Sequence, residues 1–286
     1  MRASRAEVEA QREAIHGIVS RMRPMTVRQV FYQATVLGIV DKTEGGYDKV
    51  QTDLKVMRET GALPFSWLAD NTRWQRRPTT YPSVQAALEE TARLYRKSLW
   101  DNADAYVEIW LEKDTLSGVI WPITNLYDVP LMVARGYASL TFLNNSAEHM
   151  AEVGKPVFVY HLGDFDPSGV NAGEKIEETL RRMAPEADIT FERLGVLPEQ
   201  IEAWNLPTRP TKASDSRAKG FGDFSVDLDA IEPSRLRSIV DDALQRHLGP
   251  DELDALLVAE KDEQRLIHGL VGMVEDYLAE GSDGAP

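Results

Sequence analysis

The chain has 286 residues and is 43% hydrophobic, so it can bury a sizeable core in one large domain or two to three smaller ones. It contains no apolar run of about 18 residues and no basic leader followed by an apolar stretch, so we expect neither a membrane span nor a signal peptide. The absence of cysteine excludes disulfides and Cys-ligated zinc and fits a cytoplasmic location.

The charge is unevenly distributed along the chain. Residues 1–100 contain 16 basic and 11 acidic side chains, a net charge of +5, whereas the remaining residues contain 16 and 35, a net charge of −19. This asymmetry fits a basic head that contacts phosphate and an acidic body that binds cations or partners. A chance distribution of charge on solvated helices would explain the asymmetry equally well.

The stretch "TVRQVFYQ" predicts the start of a helix. Thr26, with Gln29 three residues later, forms a capping-box pattern, so the helix should begin at Val27 and end near Gly38. Helical spacing places these residues on one inward face: Val27, Val30, Phe31, Ala34 and Leu37. Tyr32 points away from that face and lies one turn from Arg28. It is either a surface tyrosine that stacks on Arg28 or a functional residue.

A second helix and a basic hairpin are predicted next. "YDKVQTDLKVMRETGAL" predicts a helix capped by Asp48 and ended by Gly61, with Val50, Leu54 and Met57 facing inward. "LPFSWLADNTRWQRRP" predicts a short aromatic hairpin. Together they outline a winged helix that binds double-stranded DNA. The candidate DNA contacts are Lys49, Lys55, Arg58, Arg73, Arg76 and Arg77. The arginines near the tryptophans could equally be cation–π packing at the surface.

After a polar linker and an amphipathic helix, strands and helices alternate from about residue 104. Strands are predicted in "AYVEIWLE", "VPLMVARG", "KPVFVYHLGDFD" and "DITFERLGV". Helices are predicted in "KDTLSGVIWPI", with a break at Pro122, and in "ASLTFLNNSAEHM" and "SGVNAGEKIEETLRRM". Such alternation predicts an α/β fold with a parallel sheet covered by helices on both faces.

Three acidic residues lie where two of these strands end. Glu112 ends the first strand, and Asp164 and Asp166 follow the third in "GDFDPSG". Ligands of open parallel sheets bind beyond the carboxyl ends of the strands, and hard oxygen ligands favour Mg²⁺ or Mn²⁺ over zinc. The Asp-x-Asp-Pro-Ser-Gly run alone could be a turn and helix cap. Glu112 at an equivalent strand end favours the metal site.

These motifs resemble the DNA-cleaving subunit of topoisomerase VI and its relative, the meiotic double-strand-break protein. "TVRQVFY" is similar to the family motif Thr-x-Arg-x-aliphatic-aromatic-Tyr on a winged helix, and "LEKDTL" and "GDFD" resemble the Glu and Asp-x-Asp of its Toprim domain. The similarity covers about residues 20–200, and "VDLDA" resembles an acidic-Leu-acidic-Ala motif that follows. Gln29 occupies a position that is often acidic in the family, and no G-x-x-x-x-G-K-[ST] loop for ATP occurs.

The resemblance implies a domain order and a mechanism. We expect a winged-helix domain at 1–100, a Toprim domain at 101–200 and a Toprim-associated helical extension at 201–286. Tyr32 would attack DNA to form a 5′-phosphotyrosyl link, assisted by Arg28 and by Mg²⁺ bound at Glu112, Asp164 and Asp166. In the family the tyrosine of one subunit works with the Toprim site of the other, which implies a homodimer and a double-strand break. We also expect a nucleoid-associated location and a separate ATPase subunit.

Two other functions remain open at the level of sequence. One is a Toprim nuclease, as in mobile elements or defence systems, whose acidic residues activate water while Tyr32 is structural. The other is a DNA-binding dimer without catalysis. His161, on the buried strand, is predicted to be a core histidine. Asp227 and Asp229 are predicted to cap a helix or pack in a dimer rather than reach the site.

Overall fold

The computed structural model describes residues 4–69, 78–211, 217–218 and 221–282. The protein is of the α/β class, with a four-stranded parallel sheet, as predicted. The chain divides into two compact units. The first comprises Met1–Arg73 with Asp104–Leu244, and the second comprises Trp74–Ala103 with Gln245–Pro286. The division into domains at 1–100, 101–200 and 201–286 stays a prediction.

The first unit begins with three helices, α1 (Arg5–Met22), α2 (Val27–Val36) and α3 (Glu44–Glu59). Their apolar faces pack into one core that includes Phe31 and the predicted inward residues of α3. The predicted start of α2 is confirmed, since Thr26 Oγ1 accepts from the Gln29 amide at 3.1 Å and the Gln29 side chain accepts from the Thr26 amide. Leu37 is 56% exposed, contrary to prediction, because α2 ends one residue earlier.

Helix α3 begins earlier than the sequence pattern predicted. Thr43 caps it by accepting from the Gly46 amide at 3.1 Å, so Asp48 lies inside the helix and is not its cap. Gly61 follows the helix with φ +76°, in agreement with the predicted end. The described part of the predicted hairpin forms one 3₁₀ turn, Phe65–Trp67, and a bridge between Leu68 and Met25. The rest lies in residues 70–77, outside the described residues, so the winged helix stays a prediction.

The sheet contains β1 (Tyr106–Leu111), β2 (Leu131–Val133), β3 (Val157–Leu162) and β4 (Ile189–Gly195) in the order β2-β1-β3-β4. The connecting helices are α5 (Ser117–Leu126), α6 (Leu140–Val153) and α7 (Pro167–Met183). Since crossovers between parallel strands are right-handed, this strand order places α5 on one face and α6 and α7 on the other, and α6 and α7 share one core. The predicted break at Pro122 is wrong, since α5 continues to Leu126.

The last part of the first unit returns the chain to the edge of the sheet. Helix α8 (Pro198–Ala203) is followed by a small antiparallel pair, β5 (Arg209–Pro210) and β6 (Phe224–Ser225), and later by α9 (Pro233–Gln245). Val226 forms a backbone bridge with Phe165, in the loop after β3. This bridge places residues 227–229 beside the carboxyl ends of the strands.

The second unit contains α4 (Val84–Leu94), which confirms the predicted amphipathic helix, and the long α10 (Pro250–Ser282). Residues that follow α4 pair with α10: Lys97 Nζ lies 2.5 Å from Glu263 Oε1, and Arg96 Nε lies 3.0 Å from Glu260 Oε2. No helix in the described parts of the chain is both long and apolar enough to cross a membrane.

Candidate active site at the carboxyl edge of the sheet

Three segments meet where β1 and β3 end. The strands are in register to Leu111 and Leu162, and the Glu112 amide donates to the Leu162 carbonyl at 2.9 Å, so the residues that follow both strands are neighbours. The bridge between Val226 and Phe165 adds residues 227–229 to this edge. The end of the parallel strands is the usual ligand position in such sheets.

Tyr32 reaches this edge from α2, one of the three helices α1 to α3 that we call the helical head. Its hydroxyl donates a hydrogen bond to Asp227 Oδ2, and its side chain is only 5% exposed. The alternative of a surface tyrosine is therefore wrong, although Phe31 packs in the head core as predicted. Burial, the hydrogen bond to Asp227 and the charge of that carboxylate raise the pKa of Tyr32 well above its usual value.

Asp227 is surrounded by cations as well as by Tyr32. Its carboxylate lies 3.2 Å from Arg209, 3.7 Å from Arg28 and 3.8 Å from Lys113. Burial alone would raise the pKa of Asp227, but Lys113, the Tyr32 hydrogen bond and the two arginines together lower it. Asp227 therefore holds a negative charge that links the head to the sheet.

Lys113 connects the carboxylates of two segments. Its ammonium lies 2.8 Å from Asp164 Oδ1 and 2.9 Å from Asp229 Oδ2, and Asp229 Oδ1 also accepts from Thr26 Oγ1 at 3.2 Å. Burial would lower the pKa of Lys113, but the charges of Asp229, Asp164 and Asp227 raise it above its usual value. Thr26 thus both caps α2 and ties it to Asp229. We call Tyr32 and its partners the Tyr32 charge network, which comprises Tyr32, Arg28, Lys113, Arg209, Asp227 and Asp229.

The predicted acidic residues lie together, each with protein partners. Glu112 Oε2 accepts from the Asp164 amide at 2.8 Å, and Asp164 Oδ1 accepts from the Leu228 amide at 2.7 Å. Asp166 caps α7 by accepting from the Gly169 amide at 2.8 Å, and its other oxygen lies 2.9 Å from Arg209. Asp166 therefore caps a helix, as the alternative interpretation of the Asp-x-Asp-Pro-Ser-Gly run predicted.

Glu112 is closely enclosed at this edge. A Cβ at Gly163 would lie 2.7 Å from Glu112 Oε2, so a larger residue there would displace the carboxylate. Burial, followed by the charge of Asp164, raises the pKa of Glu112 to about 7, although the Asp164 amide opposes the shift. Burial also raises the pKa of Asp164. Glu112 can therefore exchange a proton near neutral pH.

The arrangement does not by itself form a three-carboxylate metal centre. Among the described residues, no group of three His, Asp or Glu side chains is placed to hold a metal ion. The carboxylate oxygens suit Mg²⁺ or Mn²⁺ in type, but Lys113, Arg209 and backbone amides already use several of them. The divalent cation therefore stays a prediction.

Arg193 of β4 positions the loop that contains Asp164. Its guanidinium donates to the carbonyls of Gly163 at 2.7 Å and Asp164 at 2.6 Å. His161 lies beside it, and burial together with the charge of Arg193 lowers the pKa of His161 to about 3. His161 is therefore a neutral, buried residue, which confirms the prediction of a core histidine.

The candidate DNA contacts of the head are only partly described. Lys49 and Lys55 are exposed on α3, and Lys55 lies 3.8 Å from Glu59. Arg58 donates to the Leu54 carbonyl of the same helix. Arg73, Arg76 and Arg77 lie outside the described residues. The cation–π alternative is seen at Trp67, over which the Arg23 guanidinium lies 4.4 Å from the ring centroid.

Four residues of the Tyr32 charge network were not assigned to the site from sequence: Asp227, Asp229, Lys113 and Arg209. The side chain of Asp227 bonds to Tyr32 and makes no helix-capping hydrogen bond, so the predicted capping role was wrong for Asp227, whereas a role in dimer packing stays a prediction. Lys113 follows Glu112 directly, which is a usable signal, whereas Arg209 has none. No protein-family model matches this chain, and no curated protein matches it. The geometry of the site is therefore the guide to its function.

Proposed function

We propose that this protein cleaves DNA, with Tyr32 attacking a phosphodiester to form a 5′-phosphotyrosyl link, as in the DNA-cleaving subunit of topoisomerase VI. One observation supports this above all. The Tyr32 hydroxyl lies in a charge network of cations and carboxylates at the carboxyl edge of a parallel sheet. A winged-helix head, a Toprim body, bound Mg²⁺ or Mn²⁺, a homodimer and a separate ATPase subunit belong to the same proposal.

The cations of the network suit a phosphodiester. Arg28 is exposed over half of its side chain, and Arg209 over about a quarter, so both can exchange a carboxylate partner for a phosphoryl oxygen. The Lys42 ammonium lies 5.6 Å from the centroid of the Tyr32 ring and adds a further positive charge to those of Arg28, Arg209 and Lys113. Such cations would stabilise the negative charge on the phosphoryl oxygens as the phenol oxygen attacks.

Transfer of label from DNA to protein tests this function. Duplex labelled at the 3′ ends, which remain on the fragment joined to the protein, is incubated with protein and Mg²⁺, with an ATPase partner added if one is identified, and then denatured. Wild type should become labelled and Tyr32→Phe should not. Tyr47→Phe is the matched control, because the Arg28 guanidinium lies 5.6 Å from the Tyr47 ring centroid, whereas the hydroxyl that donates to Asp227 is that of Tyr32. Adduct formation by Tyr32→Phe would exclude Tyr32 as the nucleophile.

A hydrolytic nuclease is the second candidate, favoured by two features of the same site. Asp227 holds the Tyr32 hydroxyl and raises its pKa, which opposes ionisation of the phenol. Glu112, with a pKa of about 7, is suited to accept a proton from water. Cleavage that leaves protein-free ends, and that Tyr32→Phe retains, would favour this function. Binding of duplex without any cleavage would exclude both.

A further inference from the structure

We propose that Asp227 is the catalytic base that takes the proton of the Tyr32 hydroxyl during attack on the phosphodiester. The inference rests on the proposed function and assigns a role to a residue outside the predicted Tyr, Glu and Asp-x-Asp motifs. The hydrogen bond from Tyr32 to Asp227 Oδ2 already defines the path of the proton. A base must lie within hydrogen-bond reach of the proton that it removes, and Asp227 does.

Charged groups face Asp227 from four parts of the fold. Arg28 lies beside Tyr32 on α2, Lys113 follows β1, and Arg209 belongs to β5. The charge of Lys42, in the loop after α2, also interacts with Asp227. In the free protein these cations lower the pKa of Asp227, so a proton remains on Tyr32.

Binding of a phosphodiester would change this balance. Arg28 and Arg209 are the more exposed cations, and a phosphate would draw them away from Asp227. Lys113 stays in place because Asp164 and Asp229 hold it at 2.8 and 2.9 Å. Loss of two counter-charges increases the affinity of Asp227 for a proton, so the base becomes effective when substrate is bound.

The step balances as a simple substitution at phosphorus. The proton of Tyr32 moves to Asp227 Oδ2, and the electron pair left on the phenol oxygen forms the new bond to phosphorus. The bond from phosphorus to the 3′ oxygen breaks, and that oxygen takes a proton from solvent water. In the reverse reaction the 3′ hydroxyl gives its proton to solvent as it attacks phosphorus, the bond from phosphorus to the phenol oxygen breaks, and Asp227 returns its proton to that oxygen.

Single-turnover adduct formation tests the inference. Asp227→Asn keeps the shape and an oxygen that can accept from Tyr32, but it removes the base, so the rate should fall by at least about 100-fold. Asp227→Glu keeps a carboxylate and should retain more of the rate. Asp114→Asn is the control, since Asp114 pairs with Arg135 and not with Tyr32. If Asp227→Asn does not fold, the Asp227→Glu and Asp227→Ser variants replace it in the comparison.

A more acidic phenol at position 32 tests whether Asp227 acts as a base or only orients Tyr32. Tyr32→3,5-difluorotyrosine ionises without help, so it should recover most of the rate that Asp227→Asn loses, at pH values above the pKa of the new phenol. If Asp227→Asn loses rate and the difluorotyrosine does not restore it, or if Asp227→Asn reacts at the wild-type rate, Asp227 is not the base, although Tyr32 can still be the nucleophile. A wild type that forms no adduct overturns the proposed function and this role together.

Discussion

The raised pKa of Glu112 should make the stability of the protein depend on pH in a defined direction. The group has its ordinary pKa, 4.5, in the unfolded chain and a pKa of about 7 in the folded protein. Between these values the folded protein binds more protons than the unfolded chain, so stability is full below about pH 4.5 and decreases as pH rises through 7. A difference of roughly 2.5 units corresponds to about 3 kcal/mol of unfolding free energy.

Glu112→Gln removes this titration and keeps an oxygen that can accept from the Asp164 amide. Its unfolding free energy relative to wild type should therefore increase by about 2.5 kcal/mol between pH 5 and pH 8. Urea unfolding followed by tryptophan fluorescence at both pH values measures this change, from which titrating groups that do not interact with Glu112 cancel. Glu152→Gln, on an exposed part of α6, is the control. If the difference in unfolding free energy between Glu112→Gln and wild type stays constant with pH, the pKa of Glu112 is not raised in the folded protein.

Three other outcomes follow from the described contacts. Phe31→Ala should cost about 3–5 kcal/mol in chemical denaturation, whereas Phe65→Ala, at a 67% exposed residue, should cost little. Asp164→Ala should lower the free energy of unfolding by about 1–3 kcal/mol, because it leaves the Leu228 amide without its acceptor. Asp164→Asn keeps an acceptor oxygen and should lower it less. Lys49→Ala and Lys55→Ala should each reduce the salt dependence of duplex affinity by about one unit of slope, whereas Lys175→Ala should not.

Local patterns predicted most of the regular structure. The capping box of α2 depends on Thr26 and Gln29 alone, and the buried strands are recognisable as short apolar runs. The start of α3 was missed because Gly45 and Gly46 are typical helix breakers. A Cβ at Gly46 would lie 2.1 Å from the Asp41 carbonyl oxygen, so glycine is required there by a contact that the sequence does not display.

The site was predictable only where the strands determine it. Glu112 and Asp164 are neighbours because both follow adjacent parallel strands, which the alternation of elements already implied. The contact of Tyr32 with Asp227 joins residues 195 positions apart. It depends on the bridge between Phe165 and Val226, and no local pattern indicates that pairing. Burial of Tyr32 follows from the same contact, since α2 alone would leave its hydroxyl at a surface.

The contacts of Tyr32 also bear on how two protomers would share the site. The resemblance implies that the tyrosine of one protomer works with the Toprim residues of its partner. In this chain, however, Tyr32 and Arg28 contact Asp227, which Lys113 and Arg209 link to Asp164 and Asp166 of the same chain. Transfer of Tyr32 to a partner would break that hydrogen bond and separate Arg28 from the buried Asp227, so we expect each chain to assemble its own site.

Mixed dimers distinguish the two arrangements. Differently tagged Tyr32→Phe and Asp227→Asn chains are co-expressed, and the mixed species is isolated through both tags. If each chain builds its own site, neither half has both Tyr32 and Asp227, and the rate of adduct formation should be at least about 100-fold below that of the control dimer. If the site is shared, one of the two composite sites contains both residues, and one strand should be cleaved. A mixed dimer of wild type and Tyr32→Phe is the control, with label expected on the wild-type chain alone. Recovered cleavage in the first mixture would show that the contact between Tyr32 and Asp227 is exchanged between protomers when DNA is cut.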